Sequence, residues 1–168
     1  MIRTSEQLLT AEQEALAGAS ELKGEGASIC IARRAKDLPA IPPGTKVRLL
    51  LLDDDPDFAR VMARLLGLAG YEVRTATDRE AGSKELRAAM LPHLILLDVG
   101  LGEFDGFDIL LRLRRHPRLG SVPVIMLTAR TTRKDVARGL LRGADGYVSK
   151  PCRLFALNHA IRTVLGIQ

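Results

Sequence analysis

The sequence is poor in aromatic residues, cysteine, histidine and long apolar runs. Tryptophan is absent and aromatics make up 4% of the 168 residues, so the core must be aliphatic and base-stacking platforms for nucleic acid are not expected. Cys30 and Cys152 stand 122 positions apart with no second Cys or His at metal-ligand spacing. Neither a disulfide framework nor a zinc site is indicated, and a reducing cytoplasm is expected. The three histidines, His93, His116 and His159, have no ligand partners at such spacing either, and surface or edge positions are expected for them. No hydrophobic run exceeds four residues, whereas a membrane span needs roughly twenty and a signal peptide about seven to fifteen. The chain is expected to be soluble, not exported and not membrane-bound.

Hydrophobic residues at 46% and charged residues at 27% match a globular chain. The length fits one domain with an appendage. A net charge of +5 and an isoelectric point near 9.6 hint at nucleic acid. The charge is unevenly placed, however: residues 1–45 carry five Lys+Arg against six Asp+Glu, and residues 46–168 carry 20 against 14. In the basic part, Arg112, Arg114, Arg115, Arg133, Arg138 and Arg142 fall on helical stretches and read as a solvated surface.

Residues 1–23 read as an N-terminal amphipathic helix or a disordered arm. Thr4 and Gln7 could form a capping box, and Leu8, Leu9, Leu16 and Leu22 recur near helical spacing over Thr4–Leu22. Gly24, Gly26, Pro39, Pro42, Pro43 and Gly44 punctuate a linker over residues 24–45. From Lys46 short apolar runs alternate with amphipathic stretches. Strands are expected at Val47–Leu52, Tyr71–Thr75, His93–Leu97, Val122–Leu127 and Gly146–Val148, and helices at Pro56–Leu68, Asp78–Met90, Phe107–Arg115, Thr132–Arg142 and Cys152–Leu165. This is the pattern of an α/β, flavodoxin-like doubly wound (βα)5 domain over residues 46–168, with a parallel sheet in the order 2-1-3-4-5. Its ligand site lies beyond the carboxyl ends of strands 1 and 3.

Those ends are acidic. Strand 1 runs into Asp53-Asp54-Asp55 and strand 3 into Asp98. Carboxylates at 4 Å repel by about 4 kcal/mol per pair at an effective dielectric of 20, so such a cluster takes a cation or holds protons. Asp53, Asp54 and Asp98 with Lys150 would leave two negative charges, which one divalent ion neutralises, and hard oxygen donors favour Mg2+ over zinc. Asp55 before Pro56 reads instead as a helix N-cap. Thr128 and Lys150, at the ends of strands 4 and 5, would supply a hydroxyl and an ammonium able to hold a phosphoryl group on Asp98.

Four motifs stand in order: Leu49-Leu-Leu-Leu-Asp-Asp-Asp-Pro-Asp57, Leu96-Leu-Asp-Val-Gly100 with Asp105-Gly106, Val124-Ile-Met-Leu-Thr-Ala129, and Gly143-Ala-Asp-Gly-Tyr-Val-Ser-Lys-Pro151. On these, residues Val47–Gly166 resemble the receiver domain of two-component response regulators, in the manner of a stand-alone, chemotaxis-type receiver with an N-terminal extension. The resemblance implies that Asp98 is the phosphoacceptor and that Asp53 and Asp54 hold Mg2+ with Asp98 and the Gly100 carbonyl. It implies further that Thr128 and Lys150 bond phosphoryl oxygens, that Tyr147 is an aromatic switch turning inward as Thr128 moves, and that Lys150-Pro151 is a cis peptide. The partners implied are a sensor histidine kinase or a histidine phosphotransfer protein and a downstream protein; the signal is expected to be read on residues 132–165, and a homodimer is a further partner considered. The chain would catalyse its own phosphorylation and dephosphorylation and otherwise not be an enzyme.

Departures from the family's pattern are Gly102, where Pro is usual, which suggests a more mobile loop, and Gly100 with Arg130 at the positions that tune dephosphorylation, which suggest a slow rate. An intermediate carrier in a phosphorelay is the nearest alternative. A Mg2+-dependent aspartate-nucleophile phosphohydrolase would want a second Asp where Gly100 stands. Direct DNA binding is not expected, since the chain runs only two residues past Gly166.

Overall fold

The computed structural model describes residues 20–24, 27–31, 41–42, 44–130 and 132–167. The apolar runs form five parallel strands: β3 (Arg48–Leu52), β4 (Glu72–Ala76), β5 (Leu94–Leu97), β8 (Val124–Thr128) and β9 (Gly146–Ser149). They lie side by side as β4-β3-β5-β8-β9, so in chain order the parallel strands run 2-1-3-4-5. The crossovers are α1 (Pro56–Leu68), α2 (Arg79–Arg87), α3 (Gly106–Arg115) and α4 (Arg133–Leu141), and α5 (Leu154–Leu165) follows the last strand.

The central runs are uninterrupted because both faces of the sheet are covered. Side chains alternate in direction along a strand. Leu49, Leu51, Leu94, Leu96, Ile125 and Leu127 therefore join Met62 and Leu66 of α1 and Leu157, Ile161 and Val164 of α5 on one face. Leu50, Leu52, Ile95, Leu97, Val124 and Met126 join Phe107, Leu110 and Leu113 of α3 and Leu140 of α4 on the other. Each fully buried Leu or Ile contributes about 1.5–3 kcal/mol.

Helix starts follow local chemistry. Asp55 accepts from the Asp57 and Phe58 amides with Pro56 opening α1, as the sequence suggested, and Asp78, Asp105 and Thr132 cap the next three helices in the same way. The chain leaves α5 through Gly166 in the left-handed region, at φ 66°.

The N-terminal segment departs from expectation. Residues 4–19 of the expected helix lie outside the described residues, and Ser20–Leu22, its last three, belong to a strand. This is β1 (Ser20–Gly24), which pairs antiparallel with β2 (Ala27–Ile31), and β2 pairs antiparallel with β9. Part of the expected linker is therefore sheet. The physical reason is that β9 would otherwise leave a row of unpaired amides and carbonyls at the sheet edge. The β-branched positions Ile29 and Ile31 suit a strand there. Ile31 is 4% exposed and sits in the core beside Val148, Leu157 and Ile161.

Candidate functional site

Three parallel strands deliver acids or a base to one end of the sheet. β3 ends at the fully buried Asp53 and the exposed Asp54, β5 ends at the buried Asp98, and Lys150 follows β9 across the cis Lys150-Pro151 bond. One carboxylate oxygen from each of Asp53, Asp54 and Asp98 lies within 4.8 Å of the others. Lys150 Nζ donates to Asp53 Oδ2 at 2.5 Å and to Asp98 Oδ2 at 2.9 Å. Its ammonium also stands over the Phe58 ring, 4.1 Å from the centroid, a favourable cation–π placement.

The acids are held by backbone. The amide of Asp55 donates to Asp53, that of Gly100 to Asp98 Oδ1, and that of Gly102 to Asp54 Oδ2 at 2.9 Å. Gly100 and Leu101 form β6, which pairs with β7 (Phe104–Asp105) in a small hairpin after Asp98. Gly102 within it has φ 59°. A proline there could neither adopt that angle nor offer the amide that Asp54 accepts, so the glycine has a physical reason. A Cβ on Gly106 would fall 2.1 Å from the Asp98 carbonyl oxygen, which ties the start of α3 directly to the strand end carrying Asp98.

Charge is not balanced within this cluster. Burial favours the neutral form of Asp53 and outweighs the Lys150 hydrogen bond, so its pKa stands above the ordinary 3.8. Burial alone would lower Lys150, and the hydrogen bonds and charges of Asp53 and Asp98 reverse this and leave it raised. Lys150 is thus a committed cation facing three carboxylates. Three hard oxygen donors, one of them solvent-facing, fit Mg2+.

Thr128 ends β8, is buried, and accepts the Arg130 amide on Oγ1 at 3.2 Å. Tyr147 is buried on β9, its hydroxyl donates to the Arg130 carbonyl, and burial pushes its phenol pKa up. The ring already lies inward, against Gly139 of α4, where a Cβ would come within 3.1 Å of it. Arg130 is exposed and meets both groups through its backbone.

Sequence reasoning missed three features. Phe58 carries no motif, and its position one turn into α1 was the available signal. Arg114, expected on the solvated surface, is mostly buried against Asp145 at 2.8 Å. His93, placed at a surface or edge, accepts the Arg48 amide on Nδ1 at 2.9 Å and so joins the starts of β3 and β5.

The chain matches the family model for the response regulator receiver domain over residues 49–162. It is 38% identical over 118 residues to the DNA-binding dual master transcriptional regulator RpaA of Synechocystis, covering 70% of this chain and 48% of that one. It is 44% identical over 117 residues to the transcriptional regulatory protein AfsQ1 of Streptomyces coelicolor, covering 70% and 50%. The chain thus spans about half the length of these curated relatives. Among solved structures, a putative response regulator from Chloroflexus aurantiacus superposes with TM-score 0.67 at 32% identity, over 73% of this chain and 99% of that one. The chemotaxis protein CheY4 of Vibrio cholerae superposes with TM-score 0.65 at 30% identity, over 72% and 100%.

Proposed function

The chain belongs to the response regulator receiver domain family, and we propose that Asp98 accepts a phosphoryl group from a phosphohistidine of a kinase or phosphotransfer partner in a Mg2+-dependent reaction. The observation that supports this reading is the convergence of Asp53, Asp54 and Asp98 around the single ammonium of Lys150. Asp53, Asp54 and Asp98 would hold the ion, with the Gly100 carbonyl as a further ligand. When bound, Mg2+ neutralises charge between the carboxylate and the incoming phosphoryl.

Phosphoryl transfer of this kind is mainly positioning and charge stabilisation. Asp98 supplies the attacking oxygen, fixed by the Gly100 amide on Oδ1 and by Lys150 on Oδ2. Lys150 stays protonated and balances charge on a phosphoryl oxygen, held over Phe58 and by Asp53. Thr128 turns its hydroxyl toward another phosphoryl oxygen, exchanging the Arg130 amide for it. Because Tyr147 is bonded to the Arg130 carbonyl, a shift of Thr128 is felt at the ring. Arg130 screens the phosphoryl, and Gly100 offers no side chain to orient water, so autodephosphorylation is slow.

The output is a protein contact on α4, β9 and α5, with cytoplasmic partners and no direct DNA contact by this domain. Arg74, Arg114, Arg138 and Arg142 are paired with Glu85, Asp145, Asp105 and Asp108, so these four guanidiniums are engaged within the domain rather than with a phosphate backbone. The stand-alone role is part of this proposal. Labelling with acetyl phosphate and Mg2+ tests its centre: Asp98→Asn is expected to abolish incorporation, and undiminished labelling overturns the reading.

A further inference from the structure

The N-terminal hairpin changes what the sheet offers to another chain. With five parallel strands alone, β9 would end the sheet. Here β2 takes that edge, with Ile29, Cys30 and Ile31 in register with Val148, Tyr147 and Gly146. Ile31 is in the core and β2 packs against α5, so the hairpin is anchored. The outer strand is then β1, whose far edge meets no other strand among the described residues. An open strand edge is a template for pairing with a further strand.

The sequence of β1 selects the strand that fits. Ser20-Glu21-Leu22-Lys23-Gly24 carries opposite charges at equal distances on either side of Leu22. Antiparallel pairing with a second copy, centred on Leu22, sets Glu21 opposite Lys23 of that copy and Lys23 opposite its Glu21. Both opposite-charge pairs follow from one two-fold axis, the self-complementary arrangement of a symmetric dimer. Inside the hairpin the same two positions stand in register with Cys30 and Ser28, neither of which is a charged residue type. We propose that the chain forms a homodimer by antiparallel β1–β1 pairing, which joins two seven-stranded sheets into one. The proposal is independent of the phosphoacceptor reading. It places self-association on a strand that lies outside residues 49–162, the span that matches the family model.

Sedimentation velocity of the full chain over a concentration series tests it. The wild type is expected to show a concentration-dependent dimer. Glu21→Lys and Lys23→Glu each place like charges opposite one another at both pairs, and each is expected to weaken the dimer by on the order of tenfold or more. Mixing the two single variants restores both attractive pairs in a heterodimer, and the double variant E21K/K23E restores them in a homodimer. A damaged hairpin would stay damaged in the double variant, so recovery there separates lost pairing from lost folding. A wild type that remains monomeric overturns the proposal, because the charges then guard the edge. It is equally overturned by a dimer indifferent to the single substitutions, or by mixtures and a double variant that fail to recover.

Discussion

Two partly buried ion clusters lie at opposite ends of the same parallel sheet, and they differ in how their charge is balanced. At the amino ends of β8 and β9, one Arg114 meets one Asp145. Arg114 donates to the carbonyls of Gly120, Val122 and Gly143 as well as to Asp145, and the Val124 amide donates to the same Asp145 oxygen. At the carboxyl ends, Lys150 faces Asp53, Asp98 and the nearby Asp54. The first cluster is complete in itself and fixes loops. The second carries surplus negative charge that no further cation is seen to neutralise among the described residues, which is the condition for holding something else.

Removing the cation from each cluster should expose the difference, and the largest effect belongs to the complete one. Arg114→Ala strands a buried carboxylate and three backbone carbonyls, at a cost of about 3–5 kcal/mol and a fall in melting temperature on the order of 10 °C. Mg2+ should not recover it. Thermal unfolding with and without Mg2+ checks this, and a loss within 1 °C would mean that Arg114 is the solvated surface residue its sequence context suggested.

That context shows where sequence reading stops. Arg112, Arg114 and Arg115 are equivalent to a local reading of α3, and only the tertiary placement of Asp145, 31 residues on, singles out the middle one. Asp53, Asp54 and Asp98 were legible because each ends an uninterrupted apolar run, so the strand itself says where the acid lies and the topology says that the ends meet. Lys150 and Thr128 were legible by the same logic. The hairpin was not, because β1 is short and polar, Gly24 and Gly26 read equally as linker or as turn, and the edge that recruits β2 is β9, more than a hundred residues away. The local sequence at Gly102 suggests a looser loop, and only the fold shows its amide and its backbone angle holding Asp54.

The unbalanced cluster should respond to metal where the balanced one does not. Mg2+ at about 100 times its dissociation constant is expected to stabilise the wild type by about 2.7 kcal/mol. Asp53→Asn and Asp54→Asn should each cut the melting shift, since each removes a donor. Lys150→Ala should enlarge it, because the ion then takes over the positive charge that Lys150 presents to Asp53 and Asp98. Equal shifts in all four proteins would show that the ion binds elsewhere.

Acid should act on both ends of the sheet more weakly than either substitution or metal. His93 sits at the amino end of β5, at the same end of the sheet as Arg114, and its Nδ1 is a satisfied acceptor. Burial, followed by the Arg48 charge, lowers its pKa below the ordinary 6.5. The unfolded chain therefore takes up a proton that the fold refuses. The stability this contributes is complete above pH 6.5 and is lost as the pH falls through the folded value. Asp53 acts in the opposite sense. Its folded pKa is above 3.8, so its ionised form costs stability at neutral pH, and that cost is relieved as acid protonates it. Denaturant titrations from pH 7 downward should show a decline beginning near pH 6.5, shallower in His93→Asn, whose amide oxygen takes the place of Nδ1 as acceptor for the Arg48 amide without titrating. A decline unchanged in His93→Asn would mean that the proton enters elsewhere and that the amino end of the sheet is not closed to it.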